Sequence, residues 1–142
     1  IKRTGSNYVR GEMGVRQVLN KDVSGYTQLV LKADVKVISS SLVSDGKEGG
    51  VYPLCISIDY VDVSGKPHLW RHGFLYAPKI NYPDIGERIE QDKWIIYTSN
   101  NLLDLTPKPK LIKEIKLSGS GWGFHSKIAN VKLIGEKGSE HR

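Results

Sequence analysis

The clearest pattern in the chain is an alternation of apolar and polar residues with a period of two. One stretch has apolar residues at every second position: Leu29, Leu31, Ala33, Val35 and Val37. Because neighbouring side chains of a β-strand point to opposite faces, this stretch predicts a strand with one buried face. Similar alternation recurs in 54–61 and 69–76, and shorter apolar runs at 15–19, 93–99 and 111–117 also predict strands.

The last long apolar stretch, 122–134, changes its alternation partway along. Trp122, Phe124 and Ile128 share one parity, whereas Val131 and Leu133 share the other. Both sets can face the same side only if the strand contains an extra residue, so the pattern predicts a β-bulge near 129–130.

Turn-forming residues separate the strand-like runs, for example at 44–46, 64–67, 83–86, 106–109 and 118–121. The turn at 64–66 predicts a hairpin over 59–76. Only 100–105 is a candidate for a helical turn. About seven to nine strands with little or no helix predict an all-β chain, an antiparallel sandwich or barrel. We expect one domain over 8–135, with flexible ends at 1–7 and 136–142.

The composition is that of an ordinary globular domain: 142 residues, 39% hydrophobic and 25% charged. No apolar run reaches the roughly 18 residues of a membrane-spanning helix, so we expect no membrane insertion. Since the chain begins with Ile1 and shows no signal-peptide pattern, we interpret it as a mature protein or as one domain of a longer protein.

The net charge of +6 is unevenly distributed along the chain. It is +4 over residues 1–38 (seven basic, three acidic), −3 over 39–105 (six and nine) and +5 over 106–142 (eight and three). If the two terminal thirds meet in space, one face of the domain is basic. Such a face suits nucleic acid, anionic polysaccharide or lipid head groups, although scattered lysines are more often simply solvated.

A search for catalytic chemistry finds no constellation of residues, so we expect a protein that is not an enzyme. The single Cys55 lies in an apolar run and is expected to be inert. His68 and His72 are about 13 Å apart on one face of a strand, too far apart for adjacent zinc ligands. The acidic residues Asp84, Glu87, Glu90 and Asp92 offer oxygen ligands for calcium, but their spacing matches no calcium loop.

Aromatic residues beside polar ones are the best candidates for ligand binding, because sugar rings stack on aromatic faces while polar neighbours bond their hydroxyl groups. Two clusters fit this description, and their residues are Trp70, Arg71, His72, Tyr76, Trp122 and His125. Arg71 differs in parity from Trp70 and His72, so one face at most holds the sugar. Four more tyrosines are further candidates: Tyr52, Tyr60, Tyr82 and Tyr97. We expect Phe74 and Trp94 in the core.

The order of the motifs resembles a known family. The segments that carry the resemblance are 26–37, 53–60, 87–97, 112–122 and 128–133. Together they are similar to the galactose-binding-like β-sandwich (jelly roll) of many carbohydrate-binding modules, over about residues 12–134. The segments 65–76 and 119–122 also resemble an uncharacterised accessory domain of bacterial surface proteins.

The resemblance implies a non-catalytic module that binds a polysaccharide or oligosaccharide, on a larger bacterial protein at the cell surface or outside the cell. In many such modules the final strand contains an Asp that helps to hold a structural calcium ion. Ala129 stands at that position and has no side-chain oxygen, which disfavours this calcium site; we expect no cofactor, with a structural calcium ion left open as the less favoured alternative.

Two other functions stay open. One is a protein-interaction or architectural domain, which contacts neighbouring domains of its parent protein and has nearly all its aromatic residues buried. The other is nucleic-acid binding by the basic terminal thirds. We do not expect nucleic acid as a partner, because the chain lacks the interleaved cationic and aromatic residues of single-strand binders.

Overall fold

The computed structural model describes residues 1–3, 11–40, 52–76, 86–121 and 123–138. Within these ranges the chain forms nine strands and one short 3-10 helix, Leu102–Asp104. The strands are β1 (Lys2–Arg3), β2 (Gly11–Asp22), β3 (Tyr26–Ser40), β4 (Leu54–Asp62), β5 (Pro67–Leu75), β6 (Gly86–Arg88), β7 (Ile95–Thr98), β8 (Pro109–Gly121) and β9 (Phe124–Lys137). None of the described residues belongs to a helix that is long and apolar enough to cross a membrane.

The strands form two sheets. One sheet has the order β1-β9-β3-β7, and the other has the order β2-β8-β4-β5-β6. All the pairings are antiparallel except that of β5 with β6. The prediction of an all-β sandwich is therefore confirmed. We call the two layers the four-stranded sheet and the five-stranded sheet.

The core lies between the sheets and is centred on β3. All five alternating aliphatic residues of this strand, from Leu29 to Val37, are buried to 2% exposure or less. They face Leu54, Ile56 and Ile58 of β4, which are also almost completely buried. Phe74 is in this core, as predicted. Trp94 is not: it lies just before β7 and is 46% exposed, with the Lys36 ammonium 5.8 Å from its ring centre.

The parity change in β9 is a β-bulge, as the sequence predicts. Lys132 pairs with Lys32 and Ala129 pairs with Asp34, so Asn130 and Val131 together lie opposite one residue of β3. Asn130 has a left-handed φ of 52°, and its amide donates a 2.7 Å hydrogen bond to the Asp34 carboxylate. Asparagine adopts this backbone region more readily than most residues.

The predicted hairpin forms between β4 and β5, and Asp62 organises its turn. The Asp62 carboxylate accepts bonds from the Ser64 hydroxyl and amide at 2.6 and 2.8 Å, and from the Lys66 amide at 3.1 Å. Its other oxygen lies 2.7 Å from Nε2 of His68. Gly65 provides the positive φ of 89° that this turn requires. The Ser64 and His68 hydrogen bonds hold the pKa of Asp62 well below its usual range.

Polar side chains continue the pairing of β3 beyond the end of β7. The Leu31 amide donates to the Ser99 hydroxyl at 2.8 Å, and the Leu29 amide donates to the Asn101 side-chain oxygen at 2.9 Å. The same Asn101 oxygen accepts from the Leu103 amide and caps the 3-10 helix. The predicted helical turn within 100–105 is thus confirmed, and its cap is bonded directly to the core strand.

The strands extend past both of the predicted domain boundaries. Lys2 and Arg3 pair with β9, and the Ile1 ammonium donates to the Ser126 carbonyl at 2.7 Å. At the other end β9 continues to Lys137. The remaining predicted end residues, 4–7 and 139–142, lie outside the described residues, as do the predicted turns at 44–46 and 83–85.

The five buried aliphatic residues of β3, Leu29 to Val37, form a stripe along one face of the strand. Its importance is tested by truncating one valine inside the stripe and one outside it. Val35→Ala is expected to cost about 2 kcal/mol of unfolding free energy, because it removes two methyl groups from a filled core. Val18 is 62% exposed on β2, and Val18→Ala should cost less than about 0.5 kcal/mol. Urea unfolding of both variants measures the difference, and equal losses would contradict this account of the core.

The Asp62 turn predicts a pH dependence of stability. Since the folded pKa lies below the unfolded value of about 3.9, the stabilisation is complete above that value and is lost as the pH falls through the folded pKa. Asp62→Asn should lower stability at pH 7 and flatten the decline below about pH 4. Asp59→Asn, an exposed site three residues away, is the control. Parallel unfolding curves for wild type and Asp62→Asn across this range would refute the prediction.

Candidate functional site

A groove of about 400 Å³ opens between the two sheets on the side where β5, β6 and β7 end them. It exists because both sheets stop early there. β7 has four residues, and β6 pairs with 73–75 of β5, so no strand among the described residues pairs with 67–72 of β5 on that edge. The groove is lined by Trp70, Arg71, His72, Glu87, Tyr97, Thr98, Asn100, Asn101, Leu102 and Leu105.

Three aromatic rings form a stack along one wall of the groove. The His72 ring lies between Trp70, whose ring centre is 6.2 Å away, and Tyr97, at 4.4 Å. Both neighbours are within 20° of parallel to His72. Phe74 packs its ring edge-on against His72 and Tyr97 from the core side. Since Tyr97 is buried and Trp70 is half-buried, the stack runs from the core to the surface.

Glu87, on β6, contacts the middle ring of this stack. No local sequence pattern connects β6 with β5. The Glu87 carboxylate lies 2.9 Å from Nε2 of His72. Burial, followed by the negative charge of Glu87, raises the pKa of Tyr97 to about 12. A phenol with so high a pKa is a poor proton donor near neutral pH, so Tyr97 acts here as a packed ring rather than an acid.

The outer rim of the groove is polar. Thr98 and Asn100 are exposed and offer a hydroxyl and an amide to a bound molecule. Asn101 is already occupied, because its oxygen accepts two backbone bonds and its nitrogen donates to the Thr27 carbonyl at 3.2 Å. An apolar wall with a hydrogen-bonding rim suits a neutral polar ring better than a hydrocarbon.

The structure brings together three of the six predicted site residues: Trp70, Arg71 and His72 all border the groove. Arg71 pairs with Ser57 of β4. It alternates with Trp70 and His72 along β5, as the sequence predicts. Tyr76 lies elsewhere, with its hydroxyl bonded to the backbone of Ser40 at the end of β3.

His125 is also distant from the groove lining. It pairs with Lys2 and Ser39 in the four-stranded sheet, and burial together with the nearby Lys2 and Lys127 lowers its pKa. Trp122 lies outside the described residues, as does Tyr82. Tyr52 and Tyr60, two of the further tyrosine candidates, are buried.

Glu87, Thr98 and Asn100 line the groove but are not among the six site residues predicted from the sequence. The position of Glu87 was hard to predict from the sequence. Its strand, β6, pairs with β5 in parallel, and the alternation of apolar and polar residues does not indicate which separate segments pair. Asn100 follows β7 directly, and its position next to the Ser99 and Asn101 contacts is set by tertiary structure.

The acidic residues considered as calcium ligands each contact a different partner, apart from Asp84, which lies outside the described residues. Glu87 contacts His72, Glu90 lies 3.2 Å from the Lys93 ammonium, and Asp92 lies 3.3 Å from the Lys36 ammonium. Among the described residues no group of three or more histidine, cysteine or acidic side chains is arranged to hold a metal ion.

A second groove, of about 450 Å³, opens at the opposite side of the sandwich between β2, β8 and β9. Its lining is mostly aliphatic, including Leu19, Ile115, Leu117, Val131 and Leu133. It lacks the convergence of aromatic and hydrogen-bonding groups that distinguishes the first groove. We therefore regard the groove beside Trp70 as the candidate binding site.

Comparisons of this chain with protein-family models, with curated proteins and with solved structures find no match. The candidate site consequently rests on its own geometry.

The contact between Glu87 and the aromatic stack predicts a measurable change in the titration of Tyr97. Glu87→Gln should lower the pKa of Tyr97 but leave it above 10, because burial is the larger cause of the shift. Ultraviolet titration of tyrosinate formation measures this change. Tyr97→Phe identifies the band, which is necessary because burial also raises the pKa of Tyr60.

An unchanged Tyr97 titration in Glu87→Gln would show that the carboxylate does not act on the ring.

The raised pKa of Tyr97 also has a consequence for the stability of the fold at high pH. Because the folded pKa of Tyr97 is raised, its stabilising contribution is complete below about pH 10 and is lost as the pH rises towards 12.

Proposed function

We propose that this protein is a non-catalytic carbohydrate-binding module and that the groove beside Trp70 receives a sugar ring. The observation that carries the proposal is a half-buried tryptophan at the open end of an aromatic stack, facing a rim of hydroxyl and amide groups. Sugar rings have apolar faces and polar edges, and this combination complements them.

Each wall of the groove has a distinct role in this proposal. Trp70 stacks on the sugar face, while His72 and Tyr97 keep the indole in place from behind. Thr98 and Asn100 hydrogen-bond the ring hydroxyls. Leu102 and Leu105 close the apolar floor. The groove is largely preformed, so binding needs little ordering of the protein.

The wider context of the module belongs to the same proposal. The likeness to galactose-binding-like jelly rolls favours a place on a larger bacterial protein, outside the cell or at its surface. Fold alone does not determine function, so the argument depends on the groove and not on the sandwich.

Trp70→Ala tests the sugar platform. We expect it to weaken binding of the best oligosaccharide by about tenfold, the loss that removal of one stacking ring typically causes. Trp94→Ala is the matched control. Trp94 precedes β7 directly, is partly exposed and does not line the groove. Calorimetric titration against a panel of soluble plant and bacterial glycans supplies the affinities.

A second variant separates binding from folding. Trp70 also packs against core residues, so its removal weakens the fold to some extent. Asn100→Ala changes only an exposed rim residue and should reduce affinity while leaving the unfolding midpoint unchanged. The proposal fails if no glycan binds at millimolar concentration, or if folded Trp70→Ala and Asn100→Ala bind as tightly as wild type.

A further inference from the structure

The outer surface of the four-stranded sheet carries two pairs of lysines that lie directly opposite one another. Lys32 on β3 pairs with Lys132 on β9, and Lys36 on β3 pairs with Lys127 on β9. Their neighbours Leu31, Ala33, Val35 and Val37 point into the core, so the lysines point to solvent. We call these four residues the lysine face. It unites the two basic terminal thirds of the chain.

Like charges directly opposite on one face of an antiparallel pair destabilise the sheet. Compensation is uneven among these lysines. Lys36 has the Trp94 ring 5.8 Å from its ammonium in addition to an ion pair with Asp92 at 3.3 Å. None of the ion pairs among the described residues includes Lys32, Lys127 or Lys132. Two repulsive pairs on the same two strands are a local conflict with the fold, and such conflicts mark functional sites more often than structural ones.

The row between the two lysine pairs has a different chemistry. It contains Asp34, whose carboxylate is bonded to the Asn130 amide, and the small residue Ala129. The lysine pairs are therefore separated by about 13 Å along the strands, with a carboxylate and an amide between them. A bound chain must present negative charge at both ends of this interval and a neutral, hydrogen-bonding section over Asp34.

From this spacing we infer that the lysine face binds an acidic polysaccharide, a linear chain in which carboxylate-bearing sugars alternate with neutral ones. The carboxylates contact the lysine pairs, and the neutral sugar between them bonds Asp34 and Asn130 through its hydroxyls. A nucleic acid carries a phosphate at every unit and would bring one against Asp34.

This site is separate from the groove beside Trp70 and does not depend on it. The lysine face lies on the outer surface of β3 and β9, whereas the groove lies between the sheets beyond β7. One chain can thus contact a neutral sugar in the groove and an acidic chain on the sheet surface.

Binding of hyaluronan fragments to the full chain tests the inference, because hyaluronan has a carboxylate on every second sugar. We expect affinity that falls as salt is added and is about tenfold weaker in Lys32→Gln/Lys132→Gln. The matched control is Lys66→Gln/Lys113→Gln, which makes the same change in net charge at exposed positions of β8 and of the β4–β5 turn. The control should bind within about twofold of wild type.

The stability of the unbound protein supplies an independent measurement. Lys132→Gln removes one repulsive pair, so the unfolding midpoint should rise by about 2 °C at low salt and by less at high salt. A midpoint that stays the same or falls would show that the opposed lysines are not in conflict, and the inference would lose its basis.

Four binding outcomes with the wild-type chain and the lysine variants would overturn the inference. They are no binding of hyaluronan, equal loss in the control variant, tighter binding of duplex DNA than of hyaluronan, and tighter binding of phosphatidylserine vesicles. Trp70→Ala separates this inference from the proposed function. If it abolishes hyaluronan binding while the lysine variant does not, the groove is the sugar site and the lysine face is not. Retained binding in Trp70→Ala supports a distinct site.

Discussion

Burial of the aliphatic stripe on β3 is the interaction on which the two sheets depend. The strand lies inside the four-stranded sheet and faces β4 across the core, so its alternation sets which side of every neighbour points inward. Its backbone is bonded along both edges, by β9 on one side and by β7, Ser99 and Asn101 on the other. A shift of one residue would expose the whole stripe, which gives the register a strong preference.

The candidate groove is a consequence of how this central strand is partnered. A longer β7 would continue along β3 and close the space beside β5. Instead, the chain leaves the sheet after Thr98, and polar side chains take over the hydrogen bonds of β3. One of these side chains, Asn101, also lines the groove, and Ser99 lies between the lining residues Thr98 and Asn100. Fold and site are coupled through Ser99 and Asn101, although neither needs to touch a ligand.

Much of the architecture could be predicted from period-two alternation, because a strand with one buried face shows this alternation in its own sequence. The bulge at Asn130 was predictable from the same alternation, whereas the hairpin at Asp62 was predictable from its turn-forming residues and the helical turn near Leu102 from a short local segment. The composition of the groove was only partly predictable. Trp70 and His72 share a strand, but Glu87 and Tyr97 reach them through pairings between distant segments. Trp94 was assigned to the core and is exposed, because its position before β7 lies beyond the last residue that pairs with β3.

The bulge in β9 has a consequence for how sequences of this fold diverge. Before Asn130 the residues with even numbers face inward, and after it those with odd numbers do. Deletion of one residue here would convert the bulge into a regular strand, and the apolar side chains of both halves would still point inward. The hydrogen bond between Asn130 and Asp34 would be lost. Length variation is therefore tolerable at this point and costly two residues to either side. Two chains with this fold should be aligned with a gap at Asn130 whenever one of them has a regular final strand.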